Sequence, residues 1–114
     1  MKESQIHIAV KLDDDKVPHQ IKWNATDSSA HELQEAKAML LAFWDAKDKS
    51  ALRIDLWTKD MMMDEMADFF YQVLFTMGDT FERATGNAEL KNDIKKFANA
   101  FHKKFEEAEQ KKNG

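Results

Sequence analysis

The residues best suited to metal chemistry lie in the run His31-Glu32-Leu33-Gln34-Glu35. Its first two residues begin the zinc-protease motif, in which a second histidine one helical turn later completes the metal-binding pair. Position 35 carries glutamate instead of that histidine. We therefore predict no zinc site, and we interpret Glu32 as an acidic residue that suits the start of a helix.

The acidic cluster Asp13-Asp14-Asp15 is a second candidate for metal binding. A calcium loop of the EF-hand type that started at Asp13 would need glycine at position 18 and glutamate at position 24. The chain has Pro18 and Asn24 at those positions. A charged turn between two strands explains the cluster, so we predict no metal ligands here.

The sequence contains no recognisable set of residues for covalent or acid–base catalysis. The histidines fall in four different predicted elements, and neither cysteine nor a G-x-S-x-G nucleophile motif is present. With glycine at only three positions, the chain cannot form the glycine-rich loop that holds phosphate groups. The sequence predicts a protein that is not an enzyme and binds no cofactor. The histidines are His7, His19, His31 and His102.

Alternation of apolar and polar residues predicts three strands, over residues 5–12, 17–25 and 51–57. We expect the first two to pair as a hairpin around a polar turn at residues 13–16. The outer faces of the strands are polar, which is typical of a sheet covered by helices on one side only.

Apolar residues at three- and four-residue spacing predict three helices, over residues 28–48, 63–85 and 88–110. Residues 26–29 offer side-chain oxygens that would cap the first helix. Gly86 fits the end of the second helix, because glycine readily adopts the left-handed conformation found there. The predicted order of elements is β-β-α-β-α-α.

The composition fits a single α+β domain over residues 1–114, with two layers and a three-stranded, mainly antiparallel sheet. The net charge is −4, from 17 basic and 21 acidic residues, and only two of the basic residues are arginine. Such a balance disfavours nucleic acid, whose binding depends on neutralising phosphates. No apolar run is long enough for a secretory signal or a membrane span, so we predict a cytoplasmic protein without membrane insertion.

Aromatic and methionine residues predict the one candidate functional surface. Two aromatic residues lie off the main apolar stripe of the second helix, Met61 and Met62 precede that helix, and a tryptophan faces outward on the third strand. Interface cores favour these residue types. One interpretation is therefore a partner or self-association surface; the other is that the third helix packs on this side. The candidate residues are Trp57, Met61, Met62, Tyr71 and Phe75.

The stretch from Leu52 to Thr85 closely resembles the GldC family of gliding motility proteins of Bacteroidota. The most specific part is the run Asp55-Leu56-Trp57-Thr58-Lys59-Asp60-Met61, at the junction of the third strand and the second helix. The resemblance covers most of the chain and weakens in the third helix. Shorter matches are Lys16-Val17-Pro18, Ile21-x-Trp23, Ala25-x-Asp27 and Glu35-Ala36-Lys37-Ala38-Met39.

The resemblance implies a small cytoplasmic accessory protein of gliding motility, which works alongside the envelope machinery linked to type IX secretion. It brings no catalytic residue to this chain. The leading hypothesis is a protein interaction module that binds motility or secretion-linked proteins, and a homodimer is compatible with it. The alternative is a small-molecule-binding or enzymatic domain with a pocket between sheet and helices. Trp23, Trp44 and Trp57 would line that pocket, with His7, His19 or Arg53 as polar contacts.

Overall fold

The computed structural model of the chain describes residues 1–27 and 29–113. They form two compact units. We call residues Met1–Met61 the β-unit and residues from Met62 onward the helical unit. The α+β class is as predicted, whereas the numbers of sheets and helices differ from the prediction.

The β-unit consists of five strands in two antiparallel sheets. The first sheet has the strand order β1-β2-β3, and the second sheet is the hairpin β4-β5. The strands are β1 (Ile6–Leu12), β2 (Pro18–Ala25), β3 (Gln34–Ala36), β4 (Ala38–Asp45) and β5 (Ser50–Trp57).

The predicted hairpin between the first two strands is confirmed, with Ile8 opposite Trp23. Its turn is organised by Asp13, whose carboxylate accepts hydrogen bonds from the backbone N–H groups of Asp15 and Val17 at 2.9 and 3.0 Å. Lys16 takes the left-handed conformation, with φ 63°. The acidic cluster is therefore the polar turn that the sequence predicted.

The predicted helix over residues 28–48 is wrong, because this part of the chain forms β3 and β4. Of the residues expected to cap that helix, Ser28 lies outside the described residues. The segment from Met39 to Trp44 is apolar in every position. It therefore fits the apolar pattern of a helix as well as that of a buried strand. Pairing with another strand decides between the two.

Strand β5 supplies that pairing. Met39 lies opposite Leu56, and the register continues to Asp45 opposite Ser50. The turn between the strands is built by Asp45, whose carboxylate accepts a 2.9 Å hydrogen bond from the N–H of Lys47. Lys49 completes the reversal in the left-handed conformation, with φ 51°. The described residues, 1–27 and 29–113, therefore form two helices rather than three, and a second sheet that the sequence did not predict.

The helical unit consists of α1 (Met63–Thr85) and α2 (Ala88–Asn113), close to the predicted boundaries. Helix α1 begins where Glu65 accepts a hydrogen bond from the Met62 N–H at 3.1 Å. It ends at Gly86, which is left-handed with φ 74° and donates its N–H to the Glu82 carbonyl at 2.7 Å. Asn87 then caps α2 by accepting the Leu90 N–H at 2.9 Å.

The two units bury different kinds of residue. In the β-unit, Ile21 on the central strand β2 is only 1 % exposed. In the helical unit, the buried residues among those described are small: Ala67, Gly78 and Ala98. A Cβ atom on Gly78 would lie 3.1 Å from the Lys91 carbonyl oxygen, so the glycine permits a close approach of α1 and α2. Large apolar side chains are left at the surface of both units.

Candidate interaction surfaces

The segment from Trp57 to Met61 follows β5 as a hydrogen-bonded turn centred on Thr58. The Thr58 side chain is buried, and its hydroxyl donates to the Asp60 carboxylate at 2.6 Å. The Thr58 N–H donates to the carbonyl of Lys37 at 2.7 Å, and its own carbonyl accepts the Met61 N–H at 3.1 Å. These three hydrogen bonds fix the conformation of the turn.

Lys59 joins this turn to the β1–β2 hairpin. Its backbone N–H donates to the Pro18 carbonyl at 3.2 Å, and its ammonium group lies 3.0 Å from the Asp13 carboxylate. The hydrogen bond from the Val17 N–H lowers the pKa of Asp13, and the Lys59 side chain lowers it further. The Thr58 hydroxyl lowers the pKa of Asp60 in the same way. Both carboxylates are therefore held in the charged form that these contacts need.

Trp57 presents an exposed aromatic side chain beside this turn, with 56 % of its surface accessible. A shallow groove of about 230 Å³ runs past it, lined by Val17, Pro18, Asp55 and Leu56. Tryptophan at the edge of a groove is typical of the side chains that contribute most to protein association. This groove can take an apolar side chain of another protein.

Tyr71 and Phe75 contact the second helix. The Tyr71 hydroxyl donates to the Asn99 side-chain carbonyl at 3.1 Å, and its ring centroid is 4.4 Å from that of His102. The Lys95 ammonium lies 4.1 Å from the Phe75 ring centroid, a cation–π contact. The interpretation that the other helix packs on this side of α1 is thus observed, although both side chains remain partly accessible.

The five candidate residues are distributed over both units. Trp57 and Met61 belong to the β-unit. Met61 is the last residue of that unit and is half-buried. Met62 is exposed, immediately before the first residue of α1. Tyr71 and Phe75 lie together, with ring centroids 5.8 Å apart.

A further exposed surface lies along the helical unit, among the apolar residues whose spacing predicted the helices. Phe70 and Met77 of α1 and Leu90 and Phe97 of α2 are 38–60 % exposed. An open groove of about 410 Å³ runs between the helices on this side, and Asp93 is the polar residue in its lining. The three- and four-residue spacing that predicted these helices does not show whether a neighbour covers their apolar residues, so the sequence carries no signal for this exposure.

Within the β-unit, the residues that the alternative hypothesis places around a small-molecule pocket are not all brought together. Trp57 pairs with Ala38 at one end of the β4–β5 hairpin, whereas Trp44 pairs with Ala51 near the other. The six residue steps from position 38 to position 44 separate the two tryptophans by about 20 Å along the strands. Trp57 therefore lines its groove without Trp44.

Two searches of the described residues concern metals and membranes. Across 1–27 and 29–113, no three histidine or acidic side chains are grouped in a way that could hold a metal ion. Neither α1 nor α2, as far as the structure describes them, is sufficiently long and apolar to cross a membrane.

Comparison with known proteins gives one positive finding. Residues 18–107 match a family model described as gliding motility-associated protein GldC-like. The match covers more than half of the chain and includes the whole turn from Trp57 to Met61. No curated protein matches the chain, and no solved structure matches it.

Proposed function

Because the chain belongs to the GldC-like family of gliding motility-associated proteins, we propose that it is a non-enzymatic accessory protein of bacterial gliding. In this proposal it works in the cytoplasm and binds a protein of the motility machinery or of the secretion system linked to it. The family match runs across the boundary between the two units, which supports treating residues 18–107 as one domain of this family.

The observation that supports an interaction module most directly is the exposed Trp57 beside a hydrogen-bonded turn. Ordering a loop on binding costs free energy, and a turn that is already ordered avoids most of that cost. Trp57 and the neighbouring groove would then contribute a preformed anchor site. Met61 and Met62 extend the proposed surface with flexible apolar side chains, which adapt readily to a partner.

Tyr71 and Phe75 enter the proposal in a different role. Their contacts with Asn99, His102 and Lys95 support a function in holding α1 against α2. We propose them as positioning residues, which keep the start of α1 and its exposed methionine in a defined orientation.

The test uses tagged protein in its own cells, with crosslinking and identification of the proteins that co-purify. We expect components of the motility or secretion machinery, and we expect Trp57→Ala combined with Met62→Ala to abolish their recovery. Trp44→Ala is the matched control, because Trp44 is another exposed tryptophan on the same hairpin, 68 % accessible against 56 % for Trp57. It should leave recovery unchanged.

A gliding assay with a deletion strain of the same cells tests the link to motility. The wild-type gene and Trp44→Ala should restore gliding to a deletion strain, and the double variant should not. Unchanged capture by a folded double variant would refute the proposed surface. Full gliding in the deletion strain would refute the proposed role in motility.

A further inference from the structure

Strand β1 forms one edge of the first sheet. It pairs with β2 on one side, and within residues 1–27 and 29–113 no strand pairs with it on the other. An unpaired edge presents a row of backbone N–H and C=O groups, to which another strand can bind. Helices α1 and α2 cannot supply this pairing, because a helix uses its backbone groups internally. The edge of β1 is therefore a site for a further strand.

The register of the hairpin shows which residues of β1 carry the outward backbone groups. The Thr26 N–H donates to the Gln5 carbonyl at 3.0 Å, so the backbone of Gln5 faces β2. Backbone direction alternates along a strand, and the β1–β2 register is regular from position 6 to position 11. Every second residue from Gln5 therefore bonds to β2. The residues whose backbone groups point away from β2 are Ile6, Ile8 and Val10.

The side chains of this edge do not protect it against pairing. Edge strands are commonly protected by charged side chains or by proline, and neither occurs between Ile6 and Val10. Ile6 is 72 % exposed, and Ile8 is 38 % exposed. Cross-strand pairs of β-branched residues stabilise a sheet, so the three outward residues are well suited to face another strand of the same kind.

A second copy of β1 fits this edge in one antiparallel register. With the two-fold axis at Ile8, each outward residue of one copy lies opposite an outward residue of the other. Ile8 then lies opposite Ile8, and Ile6 lies opposite Val10, which gives about six backbone hydrogen bonds, two for each opposed pair. An axis one residue away would leave one outward residue of each copy without a regular partner. The reason is that the strand begins at Ile6 and its register shifts after Lys11.

Charges at the two ends of this register also favour a second copy. The residues before β1 in one copy run beside the end of β1 and the acidic turn in the other. Lys11 then lies diagonally across from Glu3 of the second copy, and Lys2 approaches its Asp14. Each attraction occurs twice because of the two-fold symmetry. None of these four side chains forms an ion pair within the described parts of the chain, so all four are available.

We propose that two copies of the chain pair antiparallel through β1, so that their three-stranded sheets join into one continuous sheet. One such pairing satisfies the outward backbone groups of both copies at once. The proposed interface consists of the edge of β1 and does not include Trp57. It is therefore independent of the proposed function and leaves the Trp57 surface available to another protein.

The test measures the mass of the purified full chain by light scattering at two protein concentrations. The expected mass is twice the 13.3 kDa of one chain. Ile8→Pro should give the mass of a single chain, because proline removes the outward N–H while the hydrogen bonds from β1 to β2 use other residues. Ile8→Ala is the matched control. It loses the same side chain but keeps the N–H, and it should keep the doubled mass at the higher concentration.

Crosslinking covers the case in which Ile8→Pro does not fold, as judged by circular dichroism. The chain has no cysteine, so Ile8→Cys carries a single thiol. The shortest bismaleimide linker should join two copies of Ile8→Cys, because the two thiols lie opposite each other. Phe43→Cys is the control: Phe43 on β4 is more exposed, at 58 %, and should not be joined.

Three results would overturn the proposal. They are a wild-type chain with the mass of one copy at both concentrations, a folded Ile8→Pro that keeps the doubled mass, and linkage of Phe43→Cys as complete as that of Ile8→Cys. Trp57→Ala should keep the doubled mass, so failure of this proposal and failure of the proposed function give different results.

Discussion

The β-unit and the helical unit leave apolar residues exposed for different reasons. Each strand must hydrogen-bond to a neighbour, so pairing fixes the sheets first and leaves the sheet faces for side chains to cover. A helix satisfies its backbone internally, so α1 and α2 meet only through side chains. They approach closely at Gly78, and Tyr71 and Phe75 add contacts from α1 to α2. The comparison teaches that backbone pairing organises one unit and side-chain size organises the other.

The exposed residues of the two units differ in the same way. Trp57 is a single exposed side chain beside a fixed turn. The exposed apolar residues of the helical unit are spread along both helices, beside an open groove. The four predictions below test how each unit is held together, in order of decreasing effect.

Ile21→Ala should have the largest effect on stability. It removes the most deeply buried large side chain of the β-unit, and substitutions of this kind cost about 2–5 kcal/mol of unfolding free energy. Urea unfolding followed by tryptophan fluorescence measures the loss. Ile54→Ala on the exposed face of β5 is the control and should cost well below half as much. Equal losses would show that the exposed face of β5 is buried in solution.

Gly78→Leu should disturb the helical unit by crowding rather than by leaving a cavity. The new side chain would press on the Lys91 backbone, where a Cβ atom alone already lies within 3.1 Å of the carbonyl oxygen. Overpacking of this kind costs about 1–3 kcal/mol, measured by thermal unfolding. Ala100→Leu on the exposed side of α2 should change stability by about 0.5 kcal/mol or less. An unchanged melting temperature in Gly78→Leu would contradict the close contact.

Gly86→Ala should cost about 1 kcal/mol, because φ 74° places an alanine Cβ close to its own backbone. No neighbouring atom lies within 4 Å of that Cβ, so the cost comes from backbone conformation alone. Gly86→Asn should recover part of the loss, since asparagine tolerates this conformation better. Equal stability of the wild type and Gly86→Ala would contradict the left-handed conformation of Gly86 at the end of α1.

Acid should weaken the turn at Asp13 with the smallest effect of the four. The folded-state pKa of Asp13 lies below its ordinary value of 3.8, so its contribution is present above that pH. The contribution is lost as the pH falls through the lowered pKa. Asp13→Asn should therefore flatten the fall in stability below about pH 4, measured by urea unfolding at a series of pH values. Asp14→Asn removes one charge from the same turn without touching Lys59 and serves as the control.

Sequence patterns identified the elements that have a single periodicity. Strands β1 and β2 alternate regularly, and the Asp13 turn between them has local hydrogen bonds that the sequence suggests. Helices α1 and α2 were predicted nearly to their ends from their three- and four-residue spacing, and Gly86 marked the end of the first. The same reasoning predicted the wrong element for the residues from Met39 to Trp44. They are apolar in every position and fit the period of a helix as well as that of a strand.

The candidate site was predicted in part for similar reasons. Residue type alone pointed to Trp57 and Met62, and both are exposed. Residue type could not assign Tyr71, whose position off the main stripe fitted a partner surface and a helix contact equally well. Its partners Asn99 and His102 lie 28 and 31 positions further along the chain. No local pattern contains that information.

By itself, the sequence determined the local chemistry: a chain without cysteine, a hairpin turn at Asp13, two helices separated at Gly86, and the family to which the Trp57 run points. Local hydrogen bonds and side-chain periodicity encode these features within a few residues. Only the tertiary structure decided that residues 38–45 form a strand, because a strand exists only where another pairs with it. It also decided that Gly78 lets α1 approach the Lys91 backbone of α2 closely.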